Sequence, residues 1–173
     1  LACSAQFLLI CKFQLIYQCG SLSGVIMTFP DHPDQIQWRV HLTSPPEKVF
    51  ETLASAPGRK TFWAAEALEH EGIIHFKFSN GMTLASKVLE RQPPNLFAVE
   101  YFGGSRVEFQ LVEDSVGGTD LTLTESQIPE GNRLIHLSGW IPVLLALKAA
   151  VDFSVDLRNN DPKRTWANGY VDV

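Results

Sequence analysis

From Glu66 to Ile128 the sequence is a series of short β-type runs separated by turn residues, and this pattern limits the fold more than any other feature. The runs are "EALEHEG", "IIHFKFS", "MTLASKVLE", "LFAVEYF", "SRVEFQLVE" and "TDLTLTESQI". Between them lie Asn80-Gly81, a two-residue hairpin signal, then Pro93-Pro94-Asn95, Gly103-Gly104 and Gly117-Gly118. Such a text predicts a meander of five or six antiparallel strands. One further strand precedes it, because Ile36, Trp38, Val40 and Leu42 alternate with Gln37, Arg39 and His41.

Helical signals flank the meander. "TSPPEKVFETLASAPGRKTFWA" places Ser44 to cap a helix with Pro45, Pro46 and Glu47 in its first turn and Val49, Phe50 and Leu53 on its inner face. Pro57 and Gly58 are expected to end it, and a second short helix to carry Phe62 and Trp63. After the meander, "SGWIPVLLALKAAVDF" repeats apolar residues at Leu137, Trp140, Leu144, Leu147 and Val151, the spacing of one helical face. Gly139 and Pro142 are poor guests in a helix interior. The expectation is therefore a lead-in over Arg133 to Leu137 and a main helix near Ile141 to Leu157, with Pro142 in its first turn and Trp140 at the joint. Asn159, Asn160, Asp161 and Pro162 should stop the helix, leaving "KRTWANGYVDV" as a tail. The order of strand, two helices, strands and long helix indicates an α+β fold, with the last helix lying across the concave face of a curved antiparallel sheet.

The 173 residues suit one domain with a sizeable core. A formal net charge of -5, with no Lys/Arg run, argues against a nucleic-acid partner. Cys3, Cys11 and Cys19 all lie in the opening stretch, so the body has no disulfide framework and no cysteine-based metal site, which suits a cytoplasmic location. The apolar stretch from Phe7 to Tyr17 is interrupted by Lys12, has no basic lead and is too short to span a bilayer. Residues 1–26 therefore read as an upstream extension, with a degenerate signal or an added terminal element as rivals, and residues 27–173 as the domain.

Four stretches, "HLTSPPEKVFETL", "ERQPPNLFAVEYF", "VEFQLVEDSVGGTDLTLTES" and "SGWIPVLLALK", occur in the order and spacing of the SRPBCC superfamily, also called START-like or birch-pollen-allergen-like. Within it the chain most resembles the family named after the activator of the heat-shock-protein-90 ATPase, over about Gln35 to Leu157. The resemblance implies a helix-grip fold: a curved sheet around a long C-terminal helix, two small helices closing one end, and an apolar cavity between sheet and helix. Gly139-Trp140 matches the Gly-Trp that opens the family's last helix, and Gly117-Gly118-Thr119 the turn before the final strand. Gly72 stands alone where the family often has a glycine pair, and Ala85 and Ser86 stand where it often has a glycine, so cavity size does not carry over.

No G-x-S-x-G, H-E-x-x-H, Walker loop or G-x-G-x-x-G is present, and no two histidines fall at ligand spacing within one element, so neither a cofactor nor a metal is expected. Trp38, Trp63, Phe76, Phe78, Met82, Tyr101, Phe109, His136, Trp140 and Leu144 are the candidate cavity residues, large apolar groups with a few polar tips. Plain core packing is the competing role for each. His75 falls on the strand face opposite Phe76 and Phe78, while His136, one turn before Trp140, could share its face or be solvated at the helix start. Glu100, Glu108 and Glu125 read as solvent-facing carboxylates, with Arg106 placed to neutralise one.

The reading that follows is a domain binding a small apolar or amphipathic molecule, more a binder than an enzyme. Two alternatives stand beside it. One is a polyketide cyclase/aromatase-like enzyme using a cavity His, Tyr or Glu; the other is a co-chaperone-like interaction domain, with a homodimer or protein partner.

Overall fold

The structure is a computed structural model and describes residues 32–172. The expectations for residues 1–26 and the three cysteines lie outside these residues. Seven strands form one antiparallel sheet: β1 (Ile36–Leu42), β2 (Glu66–His70), β3 (Ile73–Lys77), β4 (Thr83–Gln92), β5 (Leu96–Glu100), β6 (Arg106–Glu113) and β7 (Thr119–Ser126). Their spatial order is β1-β7-β6-β5-β4-β3-β2. Six strands thus form the expected meander, and β1 closes on its far edge through the register Ile36↔Glu125 to Leu42↔Thr119. The chain crosses from one sheet edge to the other through α1 (Pro46–Ala54) and α2 (Ala56–Lys60). Then α3 (Arg133–Phe153) lies over the buried face.

Strand parity sets the core. Val107, Phe109 and Leu111 on β6 pair with Glu125, Leu123 and Leu121 on β7, and all six are buried. From α1, Val49, Phe50 and Leu53 enter the same core, with Phe50 edge-on to Phe97 at 6.3 Å between ring centroids. The helical face of α3 supplies Trp140, Leu144, Leu147 and Val151 at the predicted spacing, with Leu137 partly buried beside them. By length and composition α3 would also suit a membrane-crossing segment. Here the Trp140–Val151 face is packed into the core, and Leu134, Ile135, Ile141, Leu145 and Phe153 are exposed.

Several local expectations are corrected. Ser44 does not cap α1; its Oγ–H donates to the Val151 carbonyl (2.7 Å), and its N–H, with that of Thr43, donates to the Asp152 carboxylate. The residue thereby ties the β1–α1 junction to α3. Pro57 and Gly58 do not end the first helix but lie within α2, which Ser55 caps by accepting from the Gly58 N–H (3.1 Å). Phe62 and Trp63 follow α2 rather than ride on it. At the β3–β4 turn, Phe78 N–H donates to the Met82 carbonyl and Gly81 N–H to the Phe78 carbonyl. The loop is therefore the three residues Ser79, Asn80 and Gly81, with Gly81 at φ 84° absorbing the left-handed position.

The last helix is one continuous element of 21 residues, with Gly139 and Pro142 inside it. Tertiary burial of its apolar face outweighs the two unfavourable residues, a context effect that propensity alone does not contain. It also ends earlier than expected. Ser154 adopts φ 57° and its N–H donates to the Ala150 carbonyl, while Val155 N–H donates to that of Ala149, a paired C-terminal cap.

Candidate functional site

A cavity of about 680 Å³ opens between the N-terminal half of α3, the β3–β4 hairpin and the chain beyond α3. Phe62 and Trp63 form its wall after α2; Phe78 and Met82 come from the hairpin; Tyr101 and Phe102 come from the end of β5. From α3 come His136, Gly139, Trp140, Pro142 and Ala146. Beyond its chain neighbours and the backbone of its own helix, nothing lies within 4 Å of where a Gly139 Cβ would be, so its lack of a side chain leaves open space at the cavity wall. The chain beyond α3 supplies Leu157, expected within the helix, and Thr165, Trp166 and Val171 from the expected tail. Arg158 pins it by donating to the Lys60 carbonyl (2.5 Å) and pairing with Asp156.

Of the ten candidate residues, Trp63, Phe78, Met82, Tyr101, His136 and Trp140 line this cavity. Trp38, Phe76, Phe109 and Leu144 do not. Phe76, Phe109 and Leu144 are buried in the core, and Trp38 packs beside it with its indole N–H donating to the Leu137 carbonyl (3.2 Å). These residues nevertheless back the lining: Trp63 lies 4.9 Å from Phe76 and 5.5 Å from Phe109 between ring centroids, and Trp140 5.9 Å from Phe109.

One end of the cavity is polar. Glu125, expected on the solvent face, is fully buried. Its Oε1 accepts from Ser105 Oγ (2.5 Å) and His136 Nδ1 (2.8 Å), and its Oε2 accepts from Trp140 Nε1 (2.6 Å). An unpartnered buried carboxylate is strongly unfavourable, and these three donors are what make the position tenable. The correction has a simple cause: Thr119, Leu121, Leu123 and Glu125 share one face of β7, so the parity that buries the leucines buries the glutamate. That alternation was the available signal for a residue that composition assigned to solvent. Glu100 is exposed, Glu108 is partly exposed, and Arg106 pairs with Glu108 (3.0 Å) and Glu90 (2.9 Å).

His136 is not solvated. Its side chain is only 10% exposed and stands between Glu125 and the cavity. His75 is exposed on the opposite strand face. Beside Trp140, with 5.1 Å between ring centroids, Tyr101 accepts a hydrogen bond from Trp63 Nε1 (3.1 Å). Burial pushes the Tyr101 phenol well above its ordinary range, more than the Trp63 bond lowers it, and the nearby Glu125 charge adds to the rise. The hydroxyl therefore keeps its proton at every physiological pH. Among the described residues no cluster of three or more His, Cys, Asp or Glu forms a metal-binding group.

No protein-family model and no curated protein matches the sequence. Solved structures do. A dimeric Aha1 from Colwellia psychrerythraea is 25% identical, covering 69% of this chain and 96% of its own, with a TM-score of 0.62. A protein from Staphylococcus saprophyticus is 23% identical over 72% of this chain and 96% of its own, also at 0.62. An AHSA1-like protein from Aeromonas hydrophila is 17% identical over 69% and 93%, at 0.59. The chain has the α+β helix-grip fold of the SRPBCC superfamily, and its structural neighbours are Aha1/AHSA1-like proteins.

Proposed function

We propose that the domain is a cytoplasmic binding protein for a small apolar or amphipathic molecule, held in the cavity between α3, the sheet and the C-terminal tail. The observation that carries this reading is the cavity's composition. Aromatic and aliphatic side chains make up most of the wall around about 680 Å³, and among the polar groups on that wall are Tyr101 and His136, the latter held from behind by the buried Glu125. A roomy apolar volume with a few fixed polar groups suits a ligand of mixed character. Binding would bury apolar surface at roughly 25 cal/mol per Å² before ordering costs are subtracted. Native mass spectrometry of the full chain from its own cytosol tests the reading. A stoichiometric apolar passenger, released on denaturation, is the expected result; a protein that is empty and takes up no neutral apolar compound would contradict it.

One observation favours an enzymatic second reading. A carboxylate bound to one imidazole nitrogen, with the other nitrogen beside a cavity, is an arrangement able to move protons. Turnover of a carbonyl compound by wild-type protein, lost in His136→Asn with binding retained, would establish it.

A further inference from the structure

The hydrogen-bond inventory at the polar end narrows the ligand's chemistry, an inference that rests on the binding reading above. Both oxygens of Glu125 are engaged, by Ser105, His136 and Trp140, and the Trp140 and Trp63 indole N–H groups are both spent. Tyr101 and His136 each keep one valence. Tyr101 accepts from Trp63, and among the described residues its own O–H finds no acceptor. His136 gives Nδ1 to Glu125, and among the described residues its Nε2 has no partner. Both side chains line the cavity, and both stand next to Trp140, Tyr101 by ring contact and His136 one helical turn earlier on α3.

From this we infer that the cavity selects apolar molecules bearing one neutral oxygen, a hydroxyl or a carbonyl, received at the end that Tyr101 and His136 share. A hydroxyl accepts from Tyr101 and either donates to Nε2 or accepts from it, whichever way the imidazole is protonated. A carbonyl accepts from both when Nε2 carries a proton. A carboxylate is selected against, because the buried charge of Glu125 stands one imidazole away in a medium that screens poorly. The cationic group on the cavity wall, Arg158, is engaged with Asp156 and the Lys60 carbonyl.

The test is a matched series on the full chain: naphthalene, 2-naphthol, 2-naphthaldehyde and 2-naphthoate, titrated at neutral pH by calorimetry. Naphthol and naphthaldehyde should bind about tenfold tighter than naphthalene, the scale of one or two modest hydrogen bonds, and naphthoate weakest. Tyr101→Phe should remove most of the preference for naphthol and naphthaldehyde over naphthalene, read as the ratio of affinities within the variant. Equal affinity for naphthol and naphthalene, or naphthoate binding tightest, would overturn the inference and leave apolar binding intact; the latter would point to Arg158. Failure of all four to bind, naphthalene included, would remove the binding reading and the inference with it. The wild-type series decides alone if the variant does not fold.

Discussion

Arg59 and Glu125 are both fully buried charged residues, at different places in the same fold, and they are satisfied in opposite ways. The Arg59 guanidinium donates to the carbonyls of Ala54 (2.8 Å), Leu53 (3.3 Å) and Ala67 (3.0 Å), reaching Glu69 only at 3.5 Å. Burial lowers its pKa, and the neighbouring Glu69 carboxylate works against that shift. Its partners are mostly backbone, so it fastens α1, α2 and β2 together. Glu125 instead holds side chains, two of which, His136 and Trp140, face a cavity. A buried charge satisfied by backbone does structural work, whereas one that positions cavity-lining side chains can be spent on a ligand.

Truncating a side chain at each centre should separate the two roles most widely. Arg59→Ala leaves buried carbonyls without donors and should cost about 3–5 kcal/mol in chemical denaturation, with ligand affinity unchanged in the fraction that folds. Trp140→Ala should cost a similar ~3–5 kcal/mol, since the indole is 2% exposed and touches Trp63, Tyr101 and Phe109, but here affinity should fall as well. Equal loss of affinity in the two variants would show that the distinction is false.

Smaller changes sharpen it. Glu125→Gln keeps the shape but turns one acceptor into a donor facing donors, so about 1–3 kcal/mol of stability should go, along with the orientation of His136. Its imidazole NMR signals should then report a mobile ring. Asp152 supplies a reference carboxylate far from any ligand role. Burial raises its pKa, but the Lys148 ammonium and the N–H groups of Thr43 and Ser44 outweigh that and hold it at about 2, below the ordinary 3.8. Its stabilising contribution is therefore present above about pH 4 and is lost as pH falls through about 2. Asp152→Asn should flatten that acid limb in a stability-versus-pH series without touching affinity. At the small end, Gly139→Ala places a methyl in open space within α3 and should stabilise the fold by about 0.5–1 kcal/mol in thermal melts.

The sheet and helices were legible because periodicity reports burial directly. The alternation in β1, the turn residues between strands and the stripe from Leu137 to Val151 each depend on neighbours close in sequence. The candidate site was legible only in part. Trp63, Tyr101, His136 and Trp140 drew attention as large or titratable groups near an expected cavity, yet Glu125, which organises three hydrogen bonds there, read as solvent-facing because a carboxylate's average preference outweighed its strand parity. The tail was missed for a different reason. Trp166 and Val171 reach the cavity because the chain turns back after Ser154, a reversal set by contacts such as Arg158 to Lys60 across 98 positions that no local pattern encodes. Pro142 inside α3 is the converse case, where local chemistry gave a boundary and tertiary packing overrode it.

Titrating the neutral dye N-phenyl-1-naphthylamine into wild-type protein and Gly139→Leu reads whether the space beside Gly139 holds an apolar molecule. Leucine is a strong helix former, and its Cβ starts from open space, so the variant should fold at least as stably as wild type while its side chain fills the cavity. Saturable enhancement of dye emission by the wild type, with affinity falling tenfold or more in the equally stable variant, is the predicted result. Equal dye binding by the two proteins, or none by either, would mean that the space beside Gly139 holds no apolar molecule.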